Sequence, residues 1–253
     1  MFTFLRDSIQ KHFLKADIQA SAFDSFYQQL LESSYPQHSK EVQGHSLPCY
    51  NLLSPNESKQ LANYLQGLDG PLLDYGCGLS FISPFLEKTV TLHGLDFSQF
   101  AIKYNRENFP NHNFKAYHLN LLPQLKPYKS ILITDSLYHF DHPLKPISKI
   151  ISSGSESLYW CHNFKDKNLS LIEDIKLNKE SYFPSHTTEL TDFTQDFSTL
   201  VTQWLDILNS QHVQEERKIY PLIWDTLEKE MKAHKAALSQ KRIKRYHLKF
   251  NRI

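Results

Sequence analysis

Residues 71–80 read PLLDYGCGLS: an apolar run ends in Asp74, and Gly76 and Gly78 then bracket Cys77. Glycine tolerates backbone that other residues avoid and lets a ligand approach closely. The stretch therefore reads as a strand running into a tight ligand-holding turn, with Ser80 where a third glycine would be expected. A second acid, Asp96, closes LHGLDFS 22 residues further on. A carboxylate offers two acceptor oxygens at a separation that suits the two hydroxyls of a ribose. Its plainer role is a cap for the helix that follows. A third group, Asp135, Leu137, Tyr138, His139, Asp141 and His142, follows the apolar run ILIT. Histidine titrates near neutrality and can move a proton. A structural histidine at a helix start is the plainer reading of His139, and a solvated loop position that of His142. A metal reading of the group lacks a fixed third ligand. Trp160, Cys161, His162 and Asn163 close SESLYWCHN.

The turn discriminates between cofactors. A dinucleotide fingerprint starting at Gly76 needs a small residue at position 81, and Phe81 stands there. The Gly-Lys-Ser/Thr of a P-loop is absent from the turn. A cofactor gripped without phosphates fits better.

These residues must be carried by elements. Phe2, Leu5, Ile9 and Phe13 recur at helical spacing, as do the apolar positions of SAFDSFYQQLLESS. Ser54-Pro55 opens a new helix, serine capping and proline at its first position. Strand one covers 72–75. TVTLHGLD, NFKAYHLN, KSILITDS and SESLYWCHN read as strands. FISPFLEK, FSQFAIKYNREN and HPLKPISKIISS read as helices. Strands alternating with helices argue for a parallel sheet covered on both faces. Further on, SHTTELTDFTQ reads as a capped short helix and FSTLVTQWLDIL as rich in strand formers. Residues 221–239 form a helix with Ile223, Leu227, Met231 and Leu238 on one face. RYHLKFNRI alternates like a final edge strand. The expected organisation is an N-terminal helical extension over 1–53 and an α/β domain over 54–253.

The 253 residues suffice for one sizeable α/β domain. Phe and Tyr are abundant at 17 and 13, and with only 7 glycines each Gly turn is informative. A net charge of +1 argues against a general nucleic-acid binder. Cys49, Cys77 and Cys161 lack CxxC spacing, which fits a reducing, cytoplasmic setting without disulfides. No apolar run is long enough for a membrane span, and the N-terminus lacks the pattern of a signal peptide.

Asp74-x-Gly76-x-Gly78 with Asp96 and the Asp135-Leu137-His139 segment resembles the class I S-adenosylmethionine-dependent methyltransferases of the small-molecule type. The resemblance covers roughly residues 54–163. It implies a Rossmann-like fold: a mostly parallel seven-stranded sheet, helices on both faces and an N-terminal helical extension. It also implies an enzyme that binds S-adenosyl-L-methionine and methylates a small-molecule acceptor by in-line transfer. Its cofactor-binding positions would be Asp74, Gly76, Cys77, Gly78, Asp96, Phe97, Asn120, Leu121 and Asp135. Tyr138, His139 and His142 are the candidate catalytic residues. Tyr35, Tyr50, Trp160, His162 and Trp224 are the candidate acceptor contacts. No metal is expected. Two other functions stay open. One is an RNA or protein methyltransferase steered by Lys241, Arg242, Lys244 and Arg245; the other is a cofactor-binding protein without transfer activity. Residues 2–14 have a second reading as a membrane-surface helix.

Overall fold

The computed structural model describes residues 20–44, 50–117, 128–136, 147, 149–150, 152, 154–165, 168–178, 181 and 183–253. The expected helix over 2–14, most of the expected helix over 142–153, and Asn120, Leu121, Tyr138, His139 and His142 lie outside the described residues.

Among the described residues, α1, over 20–32, and α2, Tyr35–Gln43, come first. Helix α3, Pro55–Gln66, starts as its sequence dictates. Ser54 Oγ accepts from the Glu57 amide at 3.3 Å, and the Glu57 carboxylate accepts from the Ser54 amide at 2.7 Å. This reciprocal capping box satisfies two otherwise orphaned amides. The core strands follow: β1 Gly70–Tyr75, β2 Val90–Asp96, β3 Asn113–Ala116, β4 Ser130–Thr134 and β5 Ser157–Lys165. Helix α4, Gln99–Asn108, joins β2 to β3, and α5, Leu169–Leu177, follows β5. Strand β6, His186–Asp192, then leads into α6 Thr194–Leu208, α7 Gln211–Glu216, α8 Pro221–Ser239 and the last strand, β7, Ile243–Arg252.

The seven strands form one sheet in the order β3-β2-β1-β4-β5-β7-β6. All pairs from β3 to β5 are parallel, and β7 runs antiparallel to both β5 and β6. Side chains alternate between two apolar layers. Leu73, Ile131, Ile133, Leu158 and Trp160 face one; Leu72, Leu92, Leu132, Tyr159 and Cys161 face the other. Burial on both faces is what a parallel sheet needs. A third cluster joins α1 and α2 to α6 and α8 through Phe26, Leu30, Tyr35, Trp204 and Trp224.

Three expectations change. Residues 186–192 are a strand and 194–208 a helix, the reverse of the sequence reading. Thr187, Thr188 and Thr191 suit the pleated backbone, and β7 supplies their partner ladder. Phe197, Leu200, Val201, Trp204 and Leu208 recur at helical spacing and are all buried. The segment 81–88 holds one 3₁₀ turn, Ser83–Phe85, with Pro84 inside it. Ser80 therefore caps no helix; its hydroxyl pairs with Ser83 Oγ at 2.7 Å. The final strand is interior, between β5 and β6, because its long apolar face completes the layer around Leu248 and Phe250.

Candidate active site

The sheet order reverses between β1 and β4, the place where such folds open a crevice at the strands' carboxyl ends. A cavity of about 550 Å³ lies there. Of the site residues named from sequence, Gly76, Asp96, Phe97, Asp135, Tyr50 and His162 line it.

The turn after β1 is shaped by the protein itself. Gly76 has a φ of 77° and Gly78 one of 48°. A Cβ at position 76 would overlap the Cβ of Ser136, whose hydroxyl donates to the Tyr75 carbonyl at 2.7 Å. A Cβ at position 78 would come within 2.9 Å of the Tyr27 hydroxyl. Both glycines thus let neighbouring elements close on the turn. Ser80 adopts a φ of 49°, so the third position keeps the left-handed backbone without the glycine. Asn105 closes the loop from α4, its amide donating to the Gly78 carbonyl at 2.7 Å.

Asp96 is almost wholly buried. Its carboxylate accepts from the Gly78 amide and from the Ser98 amide, each at 2.9 Å. It fastens the first turn to the end of β2 while lining the cavity. The cap of α4 is Ser98, whose hydroxyl accepts from the Ala101 amide. Asp24 of α1 assists, accepting from Ser98 Oγ at 2.5 Å and the Phe100 amide at 3.1 Å. Burial pushes the Asp96 carboxyl up to about 6, against the pull of its amide donors. Asp74 lies behind the turn, 1% exposed, with Oδ1 unpartnered. Burial first, then the Asp96 charge, pushes it up to about 8. Cys77 turns its sulfur into the apolar layer, toward Asn105.

Asp135 takes a φ of 50° at the end of β4. The Arg245 guanidinium grips it, Nη2 to Oδ2 at 2.8 Å and Nη1 to Oδ1, while Nε donates to Glu57 Oε1 at 2.6 Å. The sequence placed Arg245 in an exposed basic cluster. It is fully buried, because β7 is interior and its carboxylate partners lie inside the fold. Lys244 of the same cluster pairs with Glu173 at 2.7 Å. His247 Nε2 lies 2.8 Å from Glu57 Oε1 and 3.0 Å from Cys161 Sγ. Burial alone would raise the Glu57 carboxyl; the Arg245 charge and the His247 hydrogen bond overcome it and bring it down to about 2. Glu57, Cys161 and His247 have the donor types of a metal site. However, Glu57 Oε1 already receives the Arg245 Nε–H, and that fixed positive charge opposes a cation.

His162 is 5% exposed and stacks on Trp160 at 5.3 Å. Burial depresses its pKa to about 4, so it stands neutral at pH 7. Three expected acceptor contacts do not line the cavity. Trp160 is covered in the sheet layer behind His162. Tyr35 stacks on Trp204 with ring centroids 5.1 Å apart, and Trp224 packs in the same helical cluster. Their apolar area is buried between helices instead.

The cavity also takes residues the sequence reading missed: Phe23, Phe26 and Tyr27 of α1, Tyr75, Tyr117, and Glu230 and His234 of α8. The aromatic spacing of α1 was legible as a helix face. Nothing local showed that part of that face looks into the site.

No protein-family model matches the sequence, and a comparison with curated proteins finds no match. Solved structures do match. Phosphoethanolamine N-methyltransferase 2 of Haemonchus contortus, in complex with S-adenosyl-L-methionine, aligns with a TM-score of 0.63 at 10% identity. The match covers 90% of this chain and 60% of that one. The cyclopropane synthase MmaA2 of Mycobacterium tuberculosis gives 0.59 at 12% identity over 92% and 98% of the chains. The [4+2]-cyclase SpnF gives 0.52 at 14% identity over 78% and 82%. The fold is the Rossmann-like fold of the class I methyltransferases.

Proposed function

We propose that this chain is an S-adenosyl-L-methionine-dependent methyltransferase acting on a small-molecule acceptor. One observation carries the reading. Gly76, Asp96 and Asp135 converge from three neighbouring strands on one cavity, and that cavity continues to a polar wall on β5 and α8. The site's composition fits the cofactor. Asp96 presents a carboxylate at the end of β2 for a ribose. Tyr75, Phe97 and Tyr117 offer flat apolar surface beside it for a nucleobase. Asn120 and Leu121 belong to the same proposed cofactor set. The cofactor supplies a methyl group activated by a positive sulfur. The chain's part is to hold the acceptor in line and exclude water. Phe23, Phe26 and Tyr27 roof the cavity from α1, so residues 1–53 serve in this proposal as the cover and 54–253 as the binding domain. Tyr138, His139 and His142, just beyond Asp135, remain the proposed proton-handling residues. The reading includes a cytoplasmic setting, in which the buried thiols of Cys77 and Cys161 stay reduced. No helix among the described residues is long and apolar enough to cross a membrane.

The basic C-terminal segment supports an RNA acceptor poorly, since Arg245 is buried and Lys244 is paired. Binding without methyl transfer is the second reading, favoured by the likeness to a cyclase. Calorimetry with S-adenosylmethionine and S-adenosylhomocysteine tests the shared premise, and micromolar binding of both is expected. Binding of NAD in their place would overturn the reading. Transfer of labelled methyl to a small-molecule library then separates an enzyme from a binding protein.

A further inference from the structure

Three carboxylates line the cavity among the described residues: Asp96, Asp135 and Glu230. Asp96 is bound by two backbone amides, and Asp135 is forked by Arg245. Glu230 is placed differently. It lines the cavity from α8, with about a third of its side chain (34%) open. Its hydrogen-bond partners are the Tyr50 hydroxyl, which donates to Oε2, and His234 Nε2 at 3.3 Å from Oε1. Burial would raise the Glu230 carboxyl, but these two hydrogen bonds and the His234 charge lower it below its ordinary value, with Lys165 the last contributor. Lys165 lines the same cavity, and His162 beside it is neutral at pH 7.

The surroundings of this carboxylate are aromatic. Tyr50 meets Phe26 edge-on at 4.7 Å, and Phe23 and Tyr27 continue the wall. Leu222 and Thr226 flank Glu230 on its own helix. An ionised carboxylate beside aromatic rings attracts an alkylammonium group twice over, through its charge and through the ring quadrupoles.

We propose that Glu230, with Tyr50 and Phe26, forms the subsite that takes an amine or alkylammonium group of the acceptor. The assignment rests on the methyltransferase reading of the cavity and names the chemical class that its acceptor end selects.

The test uses the full chain saturated with S-adenosylhomocysteine. Choline is the cationic probe, and 3,3-dimethylbutan-1-ol, the same shape with carbon in place of nitrogen, is its neutral control. Calorimetry is expected to show choline binding at least about tenfold tighter than the control, a difference of about 1.4 kcal/mol. Glu230→Gln should erase that preference while leaving S-adenosylhomocysteine affinity unchanged. Tyr50→Phe, which keeps the charge, should retain most of it. Equal binding of the two probes by the unaltered protein would overturn the subsite, as would a preference that survives in Glu230→Gln. Failure of S-adenosylhomocysteine to bind the unaltered protein would sink the methyltransferase reading, and the subsite with it. Retained S-adenosylhomocysteine binding without a cation preference would sink the subsite alone.

Discussion

Arg245 on the last strand grips both carboxylate oxygens of Asp135, 110 residues earlier in the chain, and a second carboxylate, Glu57, holds the Arg245 Nε. The guanidinium is fully buried, and Asp135 lines the cavity. A planar fork matched to a carboxylate fixes position as well as charge. The strained Asp135 backbone, and the turn that packs on Gly76, are thereby tied to α3 and β7.

Removing that fork should be costly. Arg245→Met leaves Glu57 and Asp135 without their shared cation, and breaking a buried pair typically costs about 3–5 kcal/mol. Arg245→Lys keeps the charge but reaches both acids poorly, so it should recover only part of the loss. Denaturant titration of the two variants checks the order. Equal stability of the two would show that the fork geometry contributes nothing.

Gly76 and Ser136 should behave as a coupled pair. Gly76→Ala adds a Cβ where Ser136 already stands, at a φ of 77°. Substantial loss of stability and of S-adenosylmethionine binding is expected. Ser136→Gly in the same chain removes the overlap but not the backbone strain, so partial recovery is expected. A double-mutant cycle with no coupling would contradict this.

Asp96 should join stability to cofactor affinity. Asp96→Ala strips the acceptor from the Gly78 and Ser98 amides, and an unsatisfied buried group costs roughly 1–3 kcal/mol. The free protein should melt earlier, and S-adenosylmethionine should bind about ten- to a thousandfold more weakly, at about 1.4 kcal/mol for each factor of ten. Asp96→Asn retains one acceptor oxygen and should be milder in melting than in binding. Unchanged affinity in both variants would leave Asp96 as a turn lock only.

Stability should decline with pH on the neutral side. The Asp74 carboxyl is raised from 3.8 to about 8 and Asp96 from 3.8 to about 6. Between the ordinary and raised values the folded state keeps protons that the unfolded chain has released, so stability falls as pH rises. Glu57 acts oppositely: lowered from 4.5 to about 2, its contribution is present above pH 4.5 and lost as pH falls toward 2. His162, lowered from 6.5 to about 4, opposes the two carboxyls up to pH 6.5, so the melting temperature of the free protein should fall between about pH 6.5 and 8, where the raised Asp74 still acts. Asp74→Asn should flatten the fall toward pH 8. A flat profile in the unaltered protein would refute the assignment.

The helices before the sheet should prove separable in function but not in folding. Deleting 1–50 removes Leu30, Tyr35 and Val42 from the cluster around Trp204 and Trp224, so a large loss of stability is expected. Phe23→Ala removes a partly buried ring that lines the cavity and meets Phe97 at 4.8 Å. It should fold normally and weaken S-adenosylmethionine binding. Circular dichroism and calorimetry together distinguish the two effects.

Local chemistry was enough to read the Gly turn and the first helix start of the α/β region. Asp74, Gly76 and Gly78 announce their turn because left-handed backbone favours glycine. Ser54, Pro55 and Glu57 announce a helix start because capping is a matter of adjacent residues. Hydrophobic alternation showed the core strands. The 186–208 segment was misread because short polar and β-branched runs satisfy helix and strand patterns alike until a partner strand chooses. Only the folded chain decided that Arg245 is buried, since no local signal reveals carboxylates 110 and 188 residues away. The same holds for Glu230: on α8 it is one more charge on a mixed helix. It faces the cavity because α8 packs on α6 and α1, and long-range packing leaves no mark on the residues beside it.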